Sequence, residues 1–190
     1  MRKLRKFFSL VPLMILWLFV SVFLWGSVSA RLTDTTPEHK LTLYVDAPVP
    51  RDTALSVLLE EHTGPGIRMV HARPFTYAMF DARALMHADL YIVRASNVTL
   101  YRDWFRPLPE GLAADGCLML DGTAWGIPVY LPGERSPIAG DFIDYTADGA
   151  EEPYYLLFGA ATVHLAGLEN AVDDEAYTAA QTLLSLRAQP

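Results

Sequence analysis

The sequence predicts an α/β fold with a mostly parallel sheet flanked by helices. Three short segments carry strand-forming residues, at 41–45, 67–71 and 88–93. Two segments with helical spacing of apolar residues separate them, at 52–62 and 74–86. Strand and helix alternating at this spacing are typical of parallel strands joined by crossover helices.

The first strand and helix are predicted from local pattern. The sequence LTLYV at 41–45 alternates and is rich in strand formers. Asp52 is a candidate cap for the following helix, whose apolar face carries Leu55, Leu58 and Leu59. The strand at 88–93 is almost entirely apolar, which predicts a strand covered on both faces.

The second half of the chain predicts shorter elements. We expect a short helix at 98–104, a short strand at 117–120 and an extended segment at 125–130. Because Pro128 has no N–H to donate, that last strand should lie at a sheet edge or be irregular at that point. Further short strands are expected at 141–146 and 154–158, and a final helix begins near Asp173.

The N-terminus predicts export. Four basic residues lie within the first six positions, and residues 7–25 carry no charge. Small residues at Val28-Ser29-Ala30 fit a signal peptidase site, whereas the length of the apolar run fits an uncleaved membrane anchor. Both alternatives place the remainder outside the cytoplasm, secreted or held at the outer face of the membrane. We therefore divide the chain into a signal peptide or anchor (1–30), a linker (31–40) and a folded domain (41–190).

The folded part is acidic. The four basic residues at the N-terminus are removed from 15 Lys and Arg while all 22 Asp and Glu remain, so residues 31–190 carry a net charge of −11. This charge disfavours nucleic acid as a partner. Cys117 is the only cysteine, so the sequence contains no internal disulfide and no cysteine-based metal site.

Candidate ligand-binding residues follow from the predicted sheet. Ligands of parallel α/β sheets bind beyond the carboxyl ends of the strands, where the sequence has Asp46, Arg94 and Ser96. Capping and turn roles are equally open for these three. The aromatic side chains of Trp104, Trp125 and Tyr130 could stack on a sugar ring, and core packing is the alternative for each of them.

No catalytic or metal-binding motif stands out. The five histidines lack metal-ligand spacing, and no serine lies in a GxSxG context. We expect no enzymatic activity, no metal site and no cofactor.

Three motifs together resemble a known family. They are ADLYIV at 88–93, FRPL at 105–108 and DGTAWGIPVY at 121–130, followed by a tail with EPYYLLFG at 152–159. In this order they resemble the first lobe of the extracellular solute-binding proteins of ABC importers, a group that mostly carries sugars. The resemblance implies one lobe of a periplasmic-binding-protein-like fold. It also implies a sugar or oligosaccharide as ligand and an ABC permease or another envelope protein as partner.

The resemblance stops at the second lobe. Family members cross to that lobe after the segment that matches Tyr130, whereas here only 60 residues follow. One lobe of a clamshell offers about half of a site, so we expect weak or altered ligand binding. The alternative hypothesis is a protein–protein interaction module at the envelope surface that binds no small molecule.

Overall fold

A computed structural model describes residues 12–26, 35–76, 85–109, 111–112, 116–147, 149, 151–168 and 171–186. The chain divides into two compact units, residues 1–36 and residues 37–190. The boundary lies inside the predicted linker, because residues 37–40 belong to the second unit. The candidate cleavage site at Ala30 lies outside the described residues.

The described part of the first unit is a helix over residues 12–26 whose side chains are exposed. Within the described ranges, no helix combines the length and the apolar character that a bilayer crossing requires.

The second unit contains one mixed sheet with helices packed against it. Its strands are β1 (Lys40–Val45), β2 (Met69–Pro74), β3 (Leu90–Arg94), β4 (Phe105–Arg106), β5 (Leu118–Leu120), β6 (Thr123–Tyr130) and β7 (Tyr154–Gly159). Its α-helices among the described residues are α1 (Asp52–His62), the short α2 (Ala95–Val98) and α3 (Glu175–Ser185). The predicted α/β class is confirmed.

The strand order is β2-β1-β3-β7-β6-β5, and β4 pairs with the end of β7. β1 pairs in parallel with β2 and β3, whereas the remaining pairings are antiparallel. Five of the seven described strands therefore point in one direction, and β5 and β7 run against them. The parallel half places the ends of β1, β2 and β3 at one edge of the sheet.

Alternation along the strands divides the core into two clusters, one on each face. On β1, Leu41, Leu43 and Val45 lie in the first cluster and Tyr44 lies in the second. Helices α1 and α3 supply the first face with their buried leucines and alanines. Helix α1 begins at Asp52 as predicted, but its N-cap is Arg51 and no side chain caps it. Asp52 instead accepts a hydrogen bond from the Thr53 N–H at 2.6 Å.

Strand β6 confirms the second of the two alternatives expected for Pro128. It lies inside the sheet between β5 and β7 and not at an edge. Its register with β7 shifts between Pro128 and Tyr130, which is the irregularity that the missing proline N–H favours. A second register shift, against β5, leaves Trp125 as an extra residue between Ala124 and Gly126. Such a bulge turns a side chain to the other face of the sheet.

Two further predictions have different outcomes. Residues 141–146 form turns rather than a strand, stabilised in part by a hydrogen bond from the Asp144 N–H to the Pro48 carbonyl. Most of the helix predicted at 74–86 lies outside the described residues, and Pro74 itself ends β2.

Candidate functional site

The candidate site lies at the carboxyl ends of the parallel strands. β1 and β3 end side by side, with Val45 opposite Ile92. The Asp46 N–H then donates to the Ile92 carbonyl at 2.8 Å, which carries the pairing one residue past the strand. Asp46 and Arg94 are thereby fixed next to each other, although 48 positions separate them in sequence.

Arg94 and Asn97 both donate to Asp46. The Arg94 Nε donates to Oδ2 of Asp46 at 3.1 Å, and its Nη2 donates to the main-chain carbonyl of Asp46 at 3.0 Å. Asn97, in the short helix α2, donates to the same Oδ2 at 2.7 Å. The side chains of Arg94 and Asp46 are 18% and 13% exposed, so this charge pair is partly shielded from water but remains reachable. We call these three residues the strand-end cluster.

A cavity of 380 Å³ opens beside the strand-end cluster. This volume lies within the range of about 300–1,000 Å³ that is typical of small-molecule sites. Asp46 and Arg94 line it, together with Ala47, Pro48, Val49, Pro50, Pro74, Phe75 and Thr76. All of these residues lie at or directly after the ends of β1, β2 and β3. We call this space the strand-end cavity.

A second cavity, of 570 Å³, shares Pro50 with the first. Tyr130 lines it, as does Tyr145, whose ring stacks on Tyr130 at 5.2 Å between centroids. Both rings contact Tyr154, and the Arg94 guanidinium lies 5.6 Å from the centroid of the Tyr154 ring. Tyr130 is therefore connected to the strand-end cluster through one aromatic ring, but it is only 5% exposed and packs mainly in the core.

Ser96 has a local structural role. Its main-chain N–H and its hydroxyl both donate to the carboxylate of Glu152, at 3.0 and 3.1 Å. The neighbouring Ala95 N–H donates to the Pro153 carbonyl at 2.9 Å. These bonds attach α2 to the segment before β7, and Ser96 does not line either cavity.

Trp104 and Trp125 lie away from the strand-end cluster. Both are partly buried against the second core cluster, on the face of the sheet opposite α1 and α3. Trp104 stacks on Tyr101 at 4.5 Å between centroids, and the Arg102 guanidinium lies over the Trp125 ring at 5.2 Å. Tyr130 belongs to the first core cluster and the two tryptophans pack against the second, so the three predicted aromatics do not converge on one ligand.

A buried polar network lies near the start of β3. Asp89 accepts hydrogen bonds from the Thr42 N–H at 2.8 Å and from the Thr162 hydroxyl at 2.5 Å. Burial raises the pKa of Asp89, although these two hydrogen bonds work in the opposite direction. These hydrogen bonds join Asp89 to β1 and to the loop after β7. None of the three residues lines either cavity.

His164 is the second buried polar residue of this network. Its Nδ1 contacts the Asp173 carboxylate and its Nε2 contacts the Pro37 carbonyl, both at 2.8 Å. Burial lowers the pKa of His164, but the Pro37 carbonyl, the Asp89 charge and Asp173 outweigh burial and leave it above its ordinary value. Both neighbours of the ring are acceptors, so a doubly protonated imidazolium satisfies them together.

The described residues contain no group of three or more His, Cys, Asp or Glu side chains arranged to hold a metal ion.

Three residues of the site were not predicted from the sequence. Asn97 is not among the candidates named from the sequence, Phe75 lies in the segment predicted as a helix, and Tyr154 lies in a segment predicted as a strand. The sequence signal for Asn97 is its position three residues after Arg94, which a single turn of helix brings back toward the strand end. No comparable signal exists for Tyr154, because its contact with Arg94 depends on the insertion of β7 beside β3.

Comparisons of the chain with known protein families, with curated proteins and with solved structures find no match.

Proposed function

We propose that this chain is an extracytoplasmic binding protein that takes a small solute in the strand-end cavity. The observation that carries the proposal is the strand-end cluster at the mouth of that cavity. Asp46 and Arg94 offer charged groups beside an apolar wall, and Asn97 orients the Asp46 carboxylate, at the edge where α/β sheets bind their ligands.

The family resemblance supports the same function. A relative of the importer binding proteins would present the strand ends of its first lobe as a ligand site. A site on that lobe alone would leave the ligand partly in water, so its binding would be weak. The N-terminal segment would keep the protein at the outer face of the membrane or direct its secretion. No catalytic step is part of this proposal.

The test is calorimetry on the full-length chain in mild detergent. The ligands are a panel of monosaccharides, oligosaccharides and small charged organic compounds at up to millimolar concentration. Asp46→Asn removes the carboxylate of the cluster, and Asp103→Asn, an exposed residue outside it, is the matched control. Saturable binding that Asp46→Asn removes and Asp103→Asn keeps is the expected result. The absence of saturable heat with every compound would contradict the proposal.

A second candidate is an interaction module at the envelope surface. It is favoured by apolar side chains that stay uncovered in the second unit, with Leu100 71% exposed and Met119 56% exposed. Substituting both by Ser would leave the fold intact and weaken association with an envelope protein if this candidate holds. Sedimentation showing a monomer, together with a failure of cross-linking to recover any envelope protein in cells, would reject it.

A further inference from the structure

The wall of the strand-end cavity is apolar and poor in hydrogen-bond donors. Six of its lining residues are apolar: Ala47, Pro48, Val49, Pro50, Pro74 and Phe75. The three prolines have no N–H, and the Pro48 carbonyl already accepts from the Asp144 N–H at 3.0 Å. A sugar ring carries several hydroxyls that each need a partner. This wall therefore suits an apolar body better than a polyhydroxylated ring.

The polar end of the cavity offers an open acceptor. Arg94 and Asn97 both use Oδ2 of Asp46, and no described residue donates a hydrogen bond to Oδ1. Oδ1 is absent from the buried atoms that lack partners, so water reaches it. A carboxylate oxygen in this position accepts hydrogen bonds from a donor group, and most strongly from a charged one.

The surroundings favour a positive ligand. The second cavity, which shares the lining residue Pro50 with the first, is lined by the carboxylates of Glu134, Asp144 and Glu151 and, among its described residues, by no Lys, Arg or His. In the strand-end cavity, Arg94 is the one cationic lining residue among those described, and two of its donors are directed at Asp46. Across the described lining of the two cavities, four carboxylates (Asp46, Glu134, Asp144 and Glu151) thus stand against the single guanidinium of Arg94, a balance that favours a cation over an anion.

We infer that the strand-end cavity takes a small organic cation, an ammonium group carried on an apolar body. The apolar body packs against Pro48, Pro74 and Phe75, and the ammonium donates to Oδ1 of Asp46. This inference rests on the proposed binding function and narrows its ligand to a class other than the sugars that the family resemblance implies.

The experiment compares four probes on the full-length chain by calorimetry. Phenethylammonium is the cation, phenylacetate is the anion with a similar body, 2-phenylethanol is the neutral form, and maltose is the sugar. We expect phenethylammonium to bind at least about tenfold more tightly than each of the others, because its charge is paired at a partly desolvated carboxylate. Asp46→Asn should weaken phenethylammonium by at least the same factor, and Asp103→Asn, an exposed residue outside the cluster, should retain it.

The outcomes separate this inference from the proposed function. Preferred binding of maltose or phenylacetate would overturn the cation inference and leave solute binding standing. Binding of phenethylammonium that is unchanged in Asp46→Asn would also overturn it. Absence of binding by all four probes and by the wider panel would overturn both. If Asp46→Asn does not fold, the ranking of the four probes on the unaltered chain decides by itself.

Discussion

Arg94 holds Asp46 by two separate groups, donating from Nη2 to its main-chain carbonyl at 3.0 Å and from Nε to its carboxylate at 3.1 Å. The guanidinium thus fixes the backbone after β1 as well as the side chain that follows it. A residue that only neutralised the Asp46 charge would leave the Asp46 carbonyl without this donor.

Arg94→Lys should destabilise the fold, because a single ammonium cannot reproduce the two-pronged geometry of the guanidinium. We expect a loss of about 1–3 kcal/mol in the free energy of unfolding, the usual size for hydrogen bonds to a charged group. Urea unfolding measures it. Arg51→Lys, at an exposed position before α1, is the control and should change little. Equal stability of the two variants would show that the attachment contributes nothing.

Gly159→Ala should be strongly destabilising. A Cβ at this position would lie 1.9 Å from the main-chain carbonyl oxygen of Ala88, which belongs to the tight connection into β3. The Gly159 N–H also donates to the Asp89 carbonyl at 2.8 Å, so the strand cannot move away without losing this bond. We expect a cost of about 3 kcal/mol, at the upper end of what overpacking usually costs.

The control for Gly159→Ala is Gly66→Ala. The nearest atom to a Cβ on Gly66 is Oδ2 of Asp173 at 3.8 Å, an ordinary contact distance. This variant should keep or slightly raise the melting temperature, since alanine restricts the unfolded chain. Similar melting temperatures for the two variants would be inconsistent with the close approach of β7 to Ala88.

His164 should make stability depend on pH. Its pKa is raised in the folded state above the ordinary value of 6.5, so its contribution is complete below about pH 6.5 and is lost as the pH rises through the folded pKa. The free energy of unfolding should therefore fall as the pH rises above about 6.5. His164→Gln should flatten this fall, whereas His62→Gln, on the exposed end of α1, should preserve it. A slope that is the same in all three proteins would contradict the assignment.

Tyr145→Phe should cost about 1 kcal/mol, the typical net value of a buried hydrogen bond. The hydroxyl that it removes donates to the Ile138 carbonyl at 2.8 Å, while the stacking on Tyr130 is kept. Tyr155→Phe is the matched change, because no described residue bonds to the Tyr155 hydroxyl. Chemical denaturation of both variants measures the difference, and a larger loss for Tyr155→Phe would be the contrary result.

The first half of the fold could be predicted from the sequence because its signals are local. The alternation in 41–45 indicates which face of that strand is buried, and the apolar run at 88–93 indicates a strand that is buried on both faces. These segments form β1 and β3, and their ends carry Asp46 and Arg94, two of the predicted site residues. The sequence predicts both at strand ends, and the structure adds that β1 and β3 are neighbours and brings the two residues into contact.

The second half could not be predicted in the same way, because its arrangement depends on non-local pairing. Nothing within 154–159 indicates that this strand inserts beside β3, and nothing within 123–130 indicates where the register shifts. The side of the sheet that Trp125 occupies is set by the bulge and not by its position in the alternation. Predicting one shared role for Trp125 and Tyr130 therefore required information that the sequence does not hold locally.

Binding of a solute at the ends of β1, β2 and β3 is tested most directly by the amide chemical shifts of the full-length chain, titrated with the tightest-binding probe. We expect saturable shifts at Ala47, Val49, Phe75 and Arg94, and unchanged amides at Trp104 and Trp125. Saturable shifts centred on the two tryptophans, or none at the strand ends, would contradict the claim.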